Sequence, residues 1–299
     1  MSSLSIKKPG MINTSKLTAA PSEPHAATMD APAEQSENPA AKYTGFVFET
    51  LFPPLLGLGL FILAWSILAQ NSDGRLPGPV STWLSAQELF SDPFYDNGPN
   101  DKGIGWNILS SLQRVGIGFG LAALTGIPLG FLIGRFRFLA RMSAPIIGLM
   151  RPISPLVWLP IGLLVFNAAH PAAIWVIFIS SIWPMIINTA MGVRSIPADY
   201  LNVARVLNLS EWKVFTKILF PAVLPYMMTG VRLSIGVAWL VIVAAEMLTG
   251  GVGIGFWVWD EWNNLNVEHI LIAIFIVGII GLILEQTLIW LAGYMTHGA

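Results

Sequence analysis

Five ionisable residues stand inside long apolar stretches of this 299-residue chain: Arg114, Arg151, Arg232, Glu246 and Glu285. At the centre of a membrane span such a side chain costs roughly 2.5 to 3.5 kcal/mol, so each must find a partner, snorkel or line a wet cavity. An arginine presents a planar fork of donors that fits a carboxylate or a small oxyanion. A glutamate offers an ion-pair partner or a carrier for protons. Arg114 and Glu246 fall near the same ends of their stretches, so a structural ion pair is expected between them. Arg151 and Arg232 lie at similar depths from the other end. Glu285 has no evident partner and reads as an interfacial carboxylate near that end.

Other chemistries lack their residues. Cysteine is absent, which removes disulfides, thiolate metal ligands and cysteine nucleophiles. The four histidines, His25, His170, His269 and His297, have no ligand spacing, so no metal site is expected. Nothing suggests a Ser, His and Asp hydrolytic arrangement. No G-x-x-x-x-G-K-[ST] segment offers a phosphate-binding loop, and the cluster Gly250, Gly251, Gly253 and Gly255 reads as a turn. Sixteen basic and 17 acidic residues give a net charge of -1, without the basic excess that nucleic acid requires.

The elements that must position these groups are membrane-crossing helices. Only 11% of the residues are charged and 54% are hydrophobic, against roughly 25% charged in soluble domains. Stretches long enough to cross a hydrocarbon core run over 51–69, 106–134, 142–166, 171–193, 221–248 and 270–295, an all-α architecture of about six spans. Pro145, Pro152, Pro155 and Pro160 remove backbone donors from the third and distort it. In the second, Gly116 and Gly120, then Gly126, Gly130 and Gly134, recur at four-residue spacing and predict close approach of a neighbouring helix. Residues 1–45, rich in Pro, Ala and Ser, cannot bury enough surface to offset the entropy of ordering and read as a disordered tail. No apolar run follows Lys7 and Lys8 to make a signal peptide. The remaining organisation is a first span with an external segment, 46–105, and a five-span body, 106–296.

Lysine and arginine placement sets orientation. Arg135, Arg137 and Arg141 follow the second span, while Arg194, Arg205, Lys213 and Lys217 follow the fourth. The opposite loops hold Arg75 and Lys102 among a larger set of aspartates and glutamates. Both termini and the two basic loops are therefore expected in the cytoplasm, with 70–105 external and 80–90 forming a short helix along the interface. Trp257, Trp259 and Trp262 fit an aromatic belt.

The loop 194–221 is patterned as two small helices. Pro197 suits a first helical turn, and Asn208 tolerates the left-handed conformation that ends a helix. Ser210 is the expected N-cap of the next helix, with Glu211 in its first turn. Val203, Val206, Leu207, Trp212 and Phe215 give the pair apolar faces that call for a partner surface.

The segment NVARVLNLSEWKVFTKILFP, from Asn202, resembles the EAA loop of permeases from ATP-binding cassette importers. It matches at Ala204, in its spacing, at the hydrophobic Ile218 and Phe220, and at Pro221. It departs from the E-A-A, G pattern with Asn202 for Glu, Val203 for Ala and Asn208 for Gly. SLQRVGIGFGLAALTGIPLG, LMRPISPLVWLPIGLLVF and GVRLSIGVAWLVIVAAEML are similar to the subfamily importing nitrate, bicarbonate, taurine or alkanesulfonates. DPFYDNGPNDKGIGWN is most similar to its nitrate, nitrite and bicarbonate branch of cyanobacterial type.

The resemblance implies a type I importer fold and an inner-membrane permease subunit for nitrate or nitrite, with bicarbonate as the alternative cargo. It implies no enzyme activity and no cofactor on this chain, ATP and Mg being bound by two cytoplasmic ATPase subunits. It further implies a second permease copy, an external solute-binding protein and a P-II type regulator of the complex. Asn202, Ala204, Arg205, Asn208, Ser210, Glu211 and Trp212 would then form the ATPase-coupling surface. From their similar depths, Arg151 and Arg232 either form a positive ring in the pore of a homodimer, a stop for a small planar anion, or pair with helix-end carbonyls or carboxylates and hold the broken third span in place. A proton-coupled transporter using Glu246 and Glu285 is a remote alternative, since it needs no patterned loop.

Overall fold

The computed structural model describes residues 39–99 and 101–297. The tail expected over 1–45 therefore lies outside the described residues up to 38. From Pro39 the chain is already helical, because Ala40, Ala41 and Lys42 are good helix formers that extend a helix begun elsewhere. This helix, α1 (Pro39–Gln70), crosses the division of the chain into two units at Leu58 and Gly59. In the first unit Leu51, Leu55 and Leu58 are exposed.

The second unit continues with α2 (Pro79–Leu89), α3 (Ile104–Arg135), α4 (Arg137–Met150), a 3-10 turn at Pro155–Trp158, α5 (Leu159–Phe166) and α6 (Ala169–Ser195). It closes with α7 (Ala198–Val206), α8 (Glu211–Val214), a π turn at Phe215–Leu219, α9 (Phe220–Thr249), α10 (Ile254–Asn263) and α11 (Val267–His297). Among the described residues five helical runs are long and apolar enough to cross a membrane: Glu49–Gln70, Ile104–Arg135, Ala169–Ser195, Glu211–Thr249 and Val267–Tyr294. A sixth is the pair Arg137–Met150 and Pro155–Phe166, bent by 95°. The distortion expected from its prolines is thus a full break, since neither Pro152 nor Pro155 has an N–H to carry the helical ladder across.

Close packing joins α3, α6 and α9. Here α3 and α6 run parallel through a stripe of small residues, Gly118, Ala122, Gly126, Gly130 and Gly134, at strict four-residue spacing. A Cβ on Gly118 would meet Ile177, one on Gly130 would meet Thr189, and one on Gly134 would meet Val193. The expected Gly126, Gly130 and Gly134 lie in this contact, whereas Gly116 and Gly120 face open space. The stripe continues through Gly118 and Ala122 because i and i+4 positions share a helix face. Next, α6 and α9 pack antiparallel, with Gly230 against Pro184 and Asn188, and Ser234 Oγ donating to the Ser181 carbonyl at 2.7 Å. Helix α11 lies antiparallel to α9, where Trp239 Nε1 donates to the Val277 carbonyl at 2.9 Å. The short α2 forms where an interfacial helix was expected; it packs on α11 through Ala86 and Leu89, with Val80, Trp83 and Leu84 exposed.

An added methyl at Gly130 would sit 2.6 Å from Thr189 Cβ and 2.9 Å from the Ile186 carbonyl, a backbone atom that cannot step aside. Gly130→Ala should therefore lose about 1–3 kcal/mol of stability through overpacking, while Gly116→Ala stays within roughly 0.5 kcal/mol. Thermal melting of the purified variants in detergent checks this, and equal midpoints would refute the close α3–α6 contact.

Candidate functional site

Polar side chains gather at three levels of the second unit. At the end away from loop 194–221, α3 presents Asn107, Ser111 and Arg114 on one face at helical spacing. Arg114 Nη1 lies 2.5 Å from Glu246 Oε1 of α9, and Glu246 is 1% exposed. The expected partners are therefore adjacent, but they belong to a larger network. Arg114 Nε donates to His170 Nδ1 of α6 at 3.0 Å, which requires that ring nitrogen to carry no proton. The carboxylate also accepts from Ser111 Oγ and from the Gly255 N–H at 3.0 Å. Asn107 Oδ1 and Ser111 Oγ accept from the Gly253 and Ile254 N–H groups at 2.8 and 2.9 Å.

The first N–H groups of α10 are thus capped by side chains from two other helices, satisfying donors that a helix end leaves unpaired. The glycine cluster read as a turn does turn, with positive φ at Gly250 and Gly251. It also brings backbone donors onto the carboxylate: a Cβ on Gly253 would collide with Glu246, and one on Gly255 with the Val243 carbonyl. The sequence reading missed Asn107, Ser111 and His170. Asn107, Ser111 and Arg114 at i, i+4 and i+7 in an apolar span were the available signal.

The mid-level arginines divide. Arg232, near the middle of α9, holds Glu285 of α11, with Nε and Nη2 at 3.0 and 2.6 Å from Oε1. Glu285 is therefore an ion-pair member well inside α11, which corrects its reading as an interfacial carboxylate without a partner. Of the two arginines expected in a positive ring, Arg232 therefore has its charge compensated within the chain. Arg151 instead follows α4 at the 95° break, and among the described residues its guanidinium has neither carboxylate nor hydrogen-bond partner. It lines a cavity of about 300 Å³ with Ser180, Trp183 and Asn188 of α6 and Leu233 and Val237 of α9.

At the loop end, α7 closes in a Schellman turn: the Leu209 N–H reaches the Ala204 carbonyl and the Asn208 N–H the Arg205 carbonyl, both at 3.0 Å. Asn208 sits at φ 49°, the left-handed region. Ser210 caps α8, its Oγ accepting from the Lys213 N–H at 3.4 Å, and Glu211 occupies the first turn. Ala204 is buried, Arg205 Nη1 bonds Asn202 Oδ1 at 3.2 Å, and Trp212 is 72% exposed beside exposed Val203, Val206 and Leu207. The second loop helix is not a separate piece: through the π turn it joins α9, making Glu211–Thr249 one continuous run. Phe131 of α3 packs edge-on to Phe215 at 5.2 Å, and Arg135 Nη2 lies 3.7 Å from Glu211 Oε2, so the loop also bears on α3.

Between α2 and α3, Asp96 and Lys102 form an isolated antiparallel bridge, where Lys102 Nζ meets Asp96 Oδ2 at 2.5 Å and holds that exposed carboxyl below its usual range. Burial and the nearby Asp101 carboxylate push the Tyr95 phenol up. Among the described residues no three His, Asp or Glu converge as a metal site.

Residues 126–295 match the family described as binding-protein-dependent transport system inner membrane component. A nitrate import permease protein, NrtB of Synechocystis sp., is 48% identical over 238 residues, covering 80% of this chain and 86% of that protein. A bicarbonate transport system permease protein, CmpB of Synechococcus elongatus, is 46% identical over 241 residues, covering 80% and 87%. Among solved structures, a chain of the inward-facing MetNI methionine ABC transporter aligns with a TM-score of 0.56 at 15% identity, covering 64% of this chain and 94% of that one, a likeness of fold.

Because Glu246 serves both Arg114 and the α10 backbone, removing it strands a buried cation and a helix N-terminus together. Glu246→Ala should cost about 3–5 kcal/mol. Glu246→Gln, which keeps an acceptor for the Gly255 N–H, should cost measurably less. Thermal midpoints of the two variants compare these directly, and equal losses would refute the carboxylate's second role.

Proposed function

We propose a cargo and a route for this chain, which belongs to the family of binding-protein-dependent transport system inner membrane components. It is a multi-pass inner-membrane permease subunit of an ATP-binding cassette importer and contributes to the translocation pathway. The proposed cargo is a small planar oxyanion, nitrate or nitrite first. Similarity to a nitrate permease over most of the chain supports this, and similarity to a bicarbonate permease keeps bicarbonate as the second reading.

The observation that carries the route is the unpaired Arg151 at the break of a proline-rich span. Irregular backbone at membrane depth is tolerated where it lines a cavity, and a guanidinium without a carboxylate is available to an anion. Arg232 is assigned to holding α9 on α11 through Glu285. The two glutamates that a proton-coupled route would use, Glu246 and Glu285, are engaged in ion pairs, which favours this reading over proton coupling.

In the proposed assembly a second copy completes the pathway, and two ATPase subunits bind ATP and Mg on the cytoplasmic side. The basic residues at the loop end support a cytoplasmic position for that end and for both termini. An external binding protein delivers the anion, and a P-II type regulator acts on the complex, as the resemblance to the nitrate branch implies. The exposed Val203, Val206, Leu207 and Trp212 form the surface offered to the ATPase, with Asn202, Ala204, Arg205, Asn208, Ser210 and Glu211 shaping it.

Arg151→Gln should reduce nitrate uptake by the reconstituted complex about tenfold or more, one charge-assisted contact being lost, while binding-protein-stimulated ATP hydrolysis persists. Arg232→Gln should lower the melting temperature instead. Unchanged uptake in Arg151→Gln would sink the route, and competition between nitrate and bicarbonate decides the cargo. For the loop, Asn208→Val places a β-branched residue at φ 49° at a cost of about 1–2 kcal/mol; ATP-driven uptake should fall, whereas Asn208→Gly should retain it. Normal uptake in the valine variant would count against the coupling role.

A further inference from the structure

The cavity beside Arg151 has a chemical bias that the arginine alone does not explain. One face of α6, repeating every three to four residues, lines it with Ser180, Trp183, Pro184, Ile187 and Asn188. Among the described residues the Trp183 indole N–H has no acceptor. Asn188 Nδ2 spends one hydrogen on the Pro184 carbonyl at 2.8 Å and keeps a second. Ser180 has already given its hydroxyl hydrogen to the Ile177 carbonyl at 2.8 Å. No carboxylate stands in the lining, and the remaining wall is apolar. Residues that carry unspent donors therefore line a volume of about 300 Å³, roughly ten water molecules' share of liquid.

We infer that this cavity is an in-membrane resting site for a small oxyanion, in which the Trp183 N–H and the Asn188 amide join Arg151 as specificity-determining donors. The inference rests on the reading of Arg151 as a pathway residue and adds two contacts to it. Three donor groups in the wall of one cavity match the several acceptor oxygens of one planar anion, and the lining holds no carboxylate to compete with it for Arg151. The apolar wall of Leu233, Val237 and Ile187 raises the strength of those contacts and lets the anion leave once the walls move.

The test uses the whole reconstituted complex and [15N]nitrate. Trp183→Phe keeps the ring and removes the N–H; Asn188→Asp keeps the shape and introduces a negative charge. Uptake should fall severalfold in the first and about tenfold or more in the second, with binding-protein-stimulated ATP hydrolysis within twofold of the parent as the check on assembly. Wild-type uptake in Trp183→Phe overturns the resting site, and that conservative variant decides the matter alone if Asn188→Asp does not assemble. Loss in Arg151→Gln beside normal uptake in both new variants overturns this inference only. Normal uptake in all three overturns the pathway reading as well.

Discussion

Hydrocarbon offers no water to a charge, and that single constraint organises the interior of this molecule. Of five ionisable groups within the spans, four are spent in two ion pairs, Arg114 with Glu246 and Arg232 with Glu285. Each pair joins helices distant in sequence, so compensation of charge also fixes the register of one helix against another. The pairs differ in surroundings. Glu246 is enclosed and shares its oxygens with a serine and a helix N-terminus, whereas both members of the second pair remain about half exposed in the single chain. Arg151 stands out because, among the described residues, it has no charge partner.

Packing around these pairs depends on residues that have little side chain. The stripe Gly118, Ala122, Gly126, Gly130 and Gly134 brings α3 against α6 closely enough for backbone carbonyls to approach Cα positions. Lipid tails are as apolar as leucine, so helix association in a membrane draws on such contact rather than on removal of apolar surface from water. The broken span between α4 and α5 departs from this regular packing, and the departure coincides with the cavity.

Local chemistry was readable in the sequence, and register was not. Asn208 and Ser210 announce their roles because a left-handed turn and an N-cap are decided by neighbours a few positions away. Arg114 and Glu246 could be paired from their positions near span ends. Glu285 could not, since neither it nor Arg232 stands at a span end and the match depends on how α9 and α11 are set lengthwise. The prolines of the third span signalled distortion, but a 95° bend is decided by what the two arms pack against. Gly116 and Gly120 carried the right spacing on the wrong face, because the facing helix, not the spacing, selects which small residues matter. His170 has no sequence neighbour that betrays its place beside Arg114.

The π turn at Phe215–Leu219 leaves the helical run Glu211–Thr249 unbroken for 39 residues. At 1.5 Å per residue this rod is about 58 Å long. Over that length, tilting it as a rigid rod by about 5° about one tip would carry the other through roughly 5 Å, close to one helical pitch. Glu246 lies near the far tip, tied through its oxygens to α3 and α10. Displacing Trp212 at one tip would act on the α3 and α10 contacts at the other through this one run, with the π turn and Pro225 as the places where it could bend.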